Sequence, residues 1–224
     1  EHEQAEPRGS HPQRLSRQTI EASIAPLRLI FWGGLLCILD FYITRTMNGV
    51  GFRFDFLNDF VGMLLITAGV FRLSEISVSD RYRNAMLFVR VIAVLGVIDA
   101  IQAHLIYIQP AFVQLVLSFA GLANLAATLC FCIAMRWLCE ACPLPTAAAS
   151  WRTTTILFLV IWVFPIGLLH LAGIAGAITG ESLHLELGAL ALLLIPLFAV
   201  PLIHIFVSTS RMRRAAEEQV EPAR

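Results

Sequence analysis

Residues 52–73 read FRFDFLNDFVGMLLITAGVFRL. Two carboxylates and an amide, Asp55, Asn58 and Asp59, stand directly ahead of an apolar run that closes on Arg72. In a water-soluble fold this is an ordinary helix start. Asp and Asn satisfy first-turn N–H groups, and negative charge is favoured at a helix N-terminus. Here the apolar run has the character of a membrane span, which puts the acidic cluster at or just inside a bilayer surface. Asp55, Asn58, Asp59 and Gly62 follow the i, i+3, i+4, i+7 spacing of one helix face.

The composition of the whole chain favours the bilayer reading. The 224 residues are 58% hydrophobic and 14% charged, against about 45–50% and about 25% in soluble domains. A mean hydropathy of +0.75 points the same way. The formal net charge is zero, so no electrostatic case exists for nucleic acid as a partner. Residues 1–24 are polar, with no short apolar core and no small-residue cleavage site, so no signal peptide is expected.

A crossing needs about 20 mainly apolar residues. Six stretches meet or approach that: 27–43, 56–73, 85–108, 111–138, 153–178 and 183–207. The fold class expected is therefore all-α, a polytopic bundle of six transmembrane helices. All 16 basic residues are Arg. With the N-terminus inside, 14 of them fall on the cytoplasmic face and two, Arg45 and Arg53, on the outer face. That asymmetry predicts N-in/C-in, and an even number of spans agrees with it. The chain then divides into a polar cytoplasmic segment (1–24), a transmembrane domain (25–209) and a charged cytoplasmic tail (210–224). The gap containing Arg45, Asn48, Gly49 and Arg53 reads as a loop. Gln109-Pro110 reads as a tight turn between spans three and four. Pro165, Pro196 and Pro201 lie inside spans, where each removes a backbone donor and favours a kink.

Ionisable groups inside spans are costly and usually face the bundle interior. The candidates here fall at one level near the outer face. Asp40 ends span one. Asp55, Asn58 and Asp59 open span two. Asp99, Gln102 and His104 lie in the outer half of span three, His170 in that of span five, and His184 and Glu186 open span six. A candidate polar pocket is thus Asp40, Asp55, Asn58, Asp59, Asp99, His104, His170 and Glu186. The competing reading leaves Asp55 as a helix cap and Asp59 as a partner of the helix dipole. Asp40 needs a partner in hydrocarbon, with Arg45, Arg53 or a His in reach. Arg90 either snorkels to the headgroups or pairs with Glu75 or Asp80.

His104, His170 and His184 are the residues from which a metal site could be built, but their spacing is irregular and no HxxxH or HExxH occurs. No cofactor is expected. Cys139 and Cys142 form a CxxC at the cytoplasmic end of span four, beside Cys130 and Cys132. That spacing is compatible with a redox dithiol, or with small apolar residues in a reducing compartment. No nucleotide, kinase or hydrolase motif is present.

The segment Leu39-Asp40-Phe41-Tyr42-Ile43, followed by Asp55-Phe56-Leu57-Asn58-Asp59-Phe60-Val61-Gly62-Met63, resembles a family of small bacterial multi-pass membrane proteins of unassigned function. Their shared pattern is LDFxI, a short loop and DLLPDFIGY. Asp40, Asp55, Asp59, Phe60 and Gly62 match, Asn58 stands for the Pro and Met63 for the Tyr. The resemblance covers residues 28–90. It implies a membrane location and singles out the three Asp residues and Gly62.

These readings lead to a non-enzymatic protein of the bacterial cytoplasmic membrane, a transporter-like or sensor-like bundle. Its expected partners are the lipid bilayer and either other membrane subunits or a small ligand or ion. The alternatives are an accessory structural subunit of a membrane complex, and a metal- or thiol-dependent redox enzyme.

Overall fold

Long apolar runs with few breakers form helices in this chain, because a continuous helix satisfies every backbone N–H and C=O internally. A computed structural model of the protein describes residues 17–38, 42–47, 50–55, 59–102, 105–106, 111–179 and 190–220. Among them α1 is Arg17–Ile38, α2 Asp59–Ser74, α3 Asp80–Gln102 and α4 Ala111–Ala141. Next come α5 (Pro145–Phe158), a π-helical turn (Leu159–Val163) and α6 (Phe164–Thr179) in one unbroken rod, then α7 (Leu190–Val220). Pro145 opens α5 at a position where its missing N–H costs nothing. Ser79 caps α3, its Oγ accepting the Tyr82 N–H at 3.2 Å.

Among the described residues, four helical segments are long and apolar enough to cross a membrane: Gln18–Cys37, Asp80–Gln102, Leu115–Ala141 and the rod Pro145–Thr179. One face of α3 carries Leu87, Val91, Val94, Leu95, Ile98 and Ile101, all exposed. An apolar face of that extent is unusual on a soluble monomer and suits a lipid surroundings.

The gap read as a loop is a β-hairpin. β1 (Tyr42–Met47) pairs antiparallel with β2 (Val50–Asp55), from Tyr42 opposite Asp55 to Met47 opposite Val50. A short β3 (Leu105–Ile106) adds to β2 opposite Gly51 and Phe52. The sequence carries the reason: YITRTM and VGFRFD are rich in β-branched and aromatic residues, and they flank Asn48-Gly49. Two expectations change with it. Asp55 belongs to a strand rather than to the helix face of Asp59 and Gly62. The third span ends at Gln102, before β3. At the far end α7 runs on to Val220, so most of the expected tail is helical. Asp40, Asn58, His104, His184 and Glu186 lie outside the described residues.

Neighbouring helices run antiparallel, as cross-contacts show. A Cβ on Gly62 would lie 2.7 Å from the Gly33 carbonyl oxygen, and one on Gly69 2.8 Å from that of Pro26. Thus α2 retraces α1 with backbones touching, a packing that small residues permit. Tyr82 donates to the Leu73 carbonyl (2.7 Å) and Thr67 to that of Ala93 (3.2 Å), which lays α3 against α2. Ser150 meets Ser208, and Trp162 Nε1 donates to the Phe198 carbonyl (2.8 Å), along α5–α6 and α7. Arg28 reaches Glu217 at 2.6 Å, so the start of α1 and the end of α7 share one end of the bundle.

That end holds the dense core: Leu27, Leu73, Tyr82, Met86, Met135, Leu138, Trp151 and Met212 are all within 1% of full burial.

Pro165 does not break its rod. Its ring cannot coexist with an ordinary turn onto the residue four back. The turn widens instead, and the Phe164 N–H bonds the Leu159 carbonyl five residues back.

Candidate functional site

Between α1, α2, α3, α4 and α7 lies a cavity of about 550 Å³, within the range of roughly 300–1,000 Å³ typical of small-molecule sites. Each wall is one helix face at i, i+3/i+4, i+7 spacing. α2 gives Asp59, Met63, Ile66 and Val70, while α4 gives Asn124, Ala127, Thr128 and Phe131. α7 gives Leu202, Ile205, Phe206 and Thr209. From α1 come Phe31, Gly34 and Cys37, and from α3 Ala93, Gly96, Asp99 and Ala100 among others. Gly34, Ala93, Gly96, Ala100 and Ala127 leave the room. Phe31 and Phe206 meet edge to face, centroids 5.4 Å apart.

Among the described residues, Asp59 and Asp99 are the charged members of the lining. They come from helices running in opposite directions. Asp59 is the first residue of α2, half-buried, where the helix dipole favours a carboxylate. The Cys37 thiol contacts its carbonyl at 3.8 Å. Asp99 stands in the last turn of α3, where the same dipole disfavours it. It is exposed and lies toward the hairpin end of α3. The hydroxyls of Thr128 and Thr209 bond back to the carbonyls of Asn124 (3.0 Å) and Ile205 (2.9 Å) of their own helices. Among the described residues, the polar character of the cavity therefore comes mainly from the two carboxylates and the Asn124 amide. Below Val70 and Thr209 the dense core closes it.

Of the polar residues anticipated from the sequence, Asp59 and Asp99 line this one cavity. His170 does not. Its ring packs on Gly121 of α4, where any Cβ would collide with it. Asp55 sits in β2. Among the described residues no three His, Cys, Asp or Glu side chains gather as a metal site would require. The Arg90 guanidinium lies 4.3 Å over the Phe71 ring of α2. Cys139 and Cys142 are free thiols, both buried. Burial pushes the Cys142 thiol up to about 11, away from the thiolate that redox chemistry uses.

Asn124 and the Phe31–Phe206 pair did not stand out in the sequence. Neither did a second polar cluster. Thr154 Oγ1 lies 2.7 Å from His204 Nδ1 and 2.7 Å from Ser208 Oγ, which lies 2.7 Å from Ser150 Oγ. Arg211 donates to Ser150 at 3.4 Å. Ser208 and Thr154 are fully buried, and these hydroxyls stitch α5 to α7. Their signal was the paired i, i+4 spacing, Ser150/Thr154 and His204/Ser208, in otherwise apolar helices.

The chain matches no protein-family model, and no curated protein or solved structure is significantly similar to it.

Proposed function

We propose that the chain is a six-span protein of the bacterial cytoplasmic membrane, with both termini inside, whose central cavity binds a small molecule in a transporter-like or sensor-like role. The cavity with Asp59 and Asp99 carries this reading. The antiparallel run of helices supports the even number of crossings. α2, with 16 residues, is short for a crossing of about 20, but it retraces α1 closely enough to return the chain. Arg28, Arg72, Arg81, Arg83, Arg136 and Arg152 gather toward the core end, and Arg45 and Arg53 lie at the hairpin end, which favours a cytoplasmic core end.

Buried thiols give no support to the redox alternative. The test is a small-molecule library screened by thermal shift in lipid nanodiscs, with wild type and Ala127→Trp side by side. Ala127 is buried and lines the cavity, so Trp fills it. Compounds that stabilise wild type and not the variant are expected; a library that treats both alike refutes a binding cavity.

A further inference from the structure

We propose that His204 is a reversible proton-binding site inside the bundle, its proton taken up at Nδ1 and accommodated by a turn of the Thr154 hydroxyl. The site is separate from the cavity. α7 lines the cavity with Leu202, Ile205, Phe206 and Thr209, while His204 and Ser208 meet Thr154 of α5. His204 is half-buried and stands seven residues, about 10 Å, along α7 from Arg211. An ionisable group at such a depth in a span is costly, and such groups recur in proton relays.

The direction of the hydrogen bonds follows from one end of the cluster. A guanidinium only donates, so Arg211 gives an N–H to Ser150 Oγ at 3.4 Å. Ser150 then donates to Ser208 Oγ, and Ser208 to Thr154 Oγ1, both at 2.7 Å. Thr154 donates to His204 Nδ1, also at 2.7 Å. Nδ1 is therefore the acceptor, and the neutral ring carries its hydrogen on Nε2. A proton added at Nδ1 makes that nitrogen a donor toward Thr154 Oγ1. The Thr154 hydroxyl has a second acceptor in reach, the Ser150 carbonyl at 3.0 Å. It swings there, its oxygen accepts from Ser208 and His204 together, and no other bond of the cluster reverses. Nδ1 and all three hydroxyls are bonded in both states. A neighbour with no second acceptor would leave a buried polar atom orphaned in one of them.

Among the described residues, the other titratable groups of the elements packed on α7 are engaged or face elsewhere. α1 brings Glu21 and Arg28, both exposed, and Arg28 pairs with Glu217. The Cys37 thiol of α1 turns to the Asp59 carbonyl of α2. α5 brings Arg152, which is exposed, and Leu159–Val163 brings no titratable side chain. On α7 itself Arg213 lies 3.8 Å from Glu217, and Arg214 and Glu218 are exposed. Arg211 is thus the charge tied to His204, with the three hydroxyls between them.

The test is solid-state NMR of the full chain in liposomes with isotope-labelled histidine, the ring signals of His204 being those lost in His204→Gln. At about pH 8 they should show the Nε2–H tautomer. On acidification to about pH 5 they should convert to imidazolium, and return when the pH is raised again. Thr154→Val, close to isosteric, should lower the ratio of Nε2–H to Nδ1–H tautomer by about five- to tenfold, the effect of one hydrogen bond, and Thr154→Ser should restore it. A monodisperse, unshifted elution profile confirms that each variant folds, and titration of the wild type decides the proton site whether or not they do. A His204 that stays neutral down to about pH 5 overturns the proposal and leaves the cluster as a helix contact alone. A dominant Nδ1–H tautomer at about pH 8, or a ratio indifferent to Thr154→Val, overturns it as well.

Discussion

At the scale of single residues, the two acids of the cavity should behave oppositely when neutralised. Asp59 sits where α2 welcomes negative charge and Asp99 where α3 resists it. Asp59→Asn should therefore lower unfolding stability by about 0.3–1 kcal/mol and Asp99→Asn raise it by a similar amount, read from thermal melts without ligand. A shift of the same sign for both would show that contacts outweigh the helix dipole. The Cys142 thiol, held at about 11 by burial, has a thiolate fraction of about a thousandth at pH 8. Maleimide should label it far more slowly in the native protein than after denaturation; equal rates would contradict its burial. Asp59 and Asp99 were legible in the sequence because charge inside an apolar run is expensive and so stands out. Asn124 and His204 were not. A single amide, or a lone His, in a span is compatible with many surroundings until the neighbouring helix is known.

At the scale of elements, the α1–α2 hairpin depends on glycine where backbones touch. Gly62 faces Cys37 Sγ and the Gly33 carbonyl, and Gly69 faces Ile30 and the Pro26 carbonyl. Gly62→Leu or Gly69→Leu forces backbone apart rather than a flexible side chain. It should cost about 1–3 kcal/mol or prevent folding, measured by denaturant titration of the detergent-solubilised protein. Trp162→Phe keeps the stacking on Phe158, with centroids 5.6 Å apart, but removes the bond to the Phe198 carbonyl. A loss of about 1 kcal/mol is expected from it, and an unchanged melt would show that the bond adds nothing. The helices themselves were legible from run length and hydropathy. The hairpin was missed because polar residues between spans read first as a loop. Its alternating β-branched and aromatic residues around Asn48-Gly49 were the better signal.

At the scale of the whole molecule, the described residues pack most tightly at the end where α1 begins and α7 finishes. The ion pair between Arg28 and Glu217 closes that packed end, but Arg28 is 57% exposed and Glu217 31%. Such pairs are worth little, so a double-mutant cycle on Arg28→Ala and Glu217→Ala should give a coupling below about 1 kcal/mol. A larger coupling would mean that lipid or protein screens the pair from water. That the chain is built of long apolar helices could be read from the sequence. Which helices surround the cavity could not, because Leu, Ile and Val faces are interchangeable between spans and only small residues and polar pairs specify neighbours.

The widened turn at Leu159–Val163 sets how the long rod is aimed. An extra residue in one turn advances every later side chain by about 100° around the axis. Before the turn, Ser150 and Thr154 address α7; after it, His170 and Gly173 address Gly121 and Ser118 of α4. Trp151, before the turn, also meets Phe131 of α4 edge to face, so α5 touches both neighbours, and the rod continues as α6 along α4 with no loop between the two halves. Insertions and deletions are then unequal in their effects along it. Removing one residue from 159–163 rewinds α6 away from α4 while α5 keeps its partners, whereas the same deletion within α5 misaligns both halves at once.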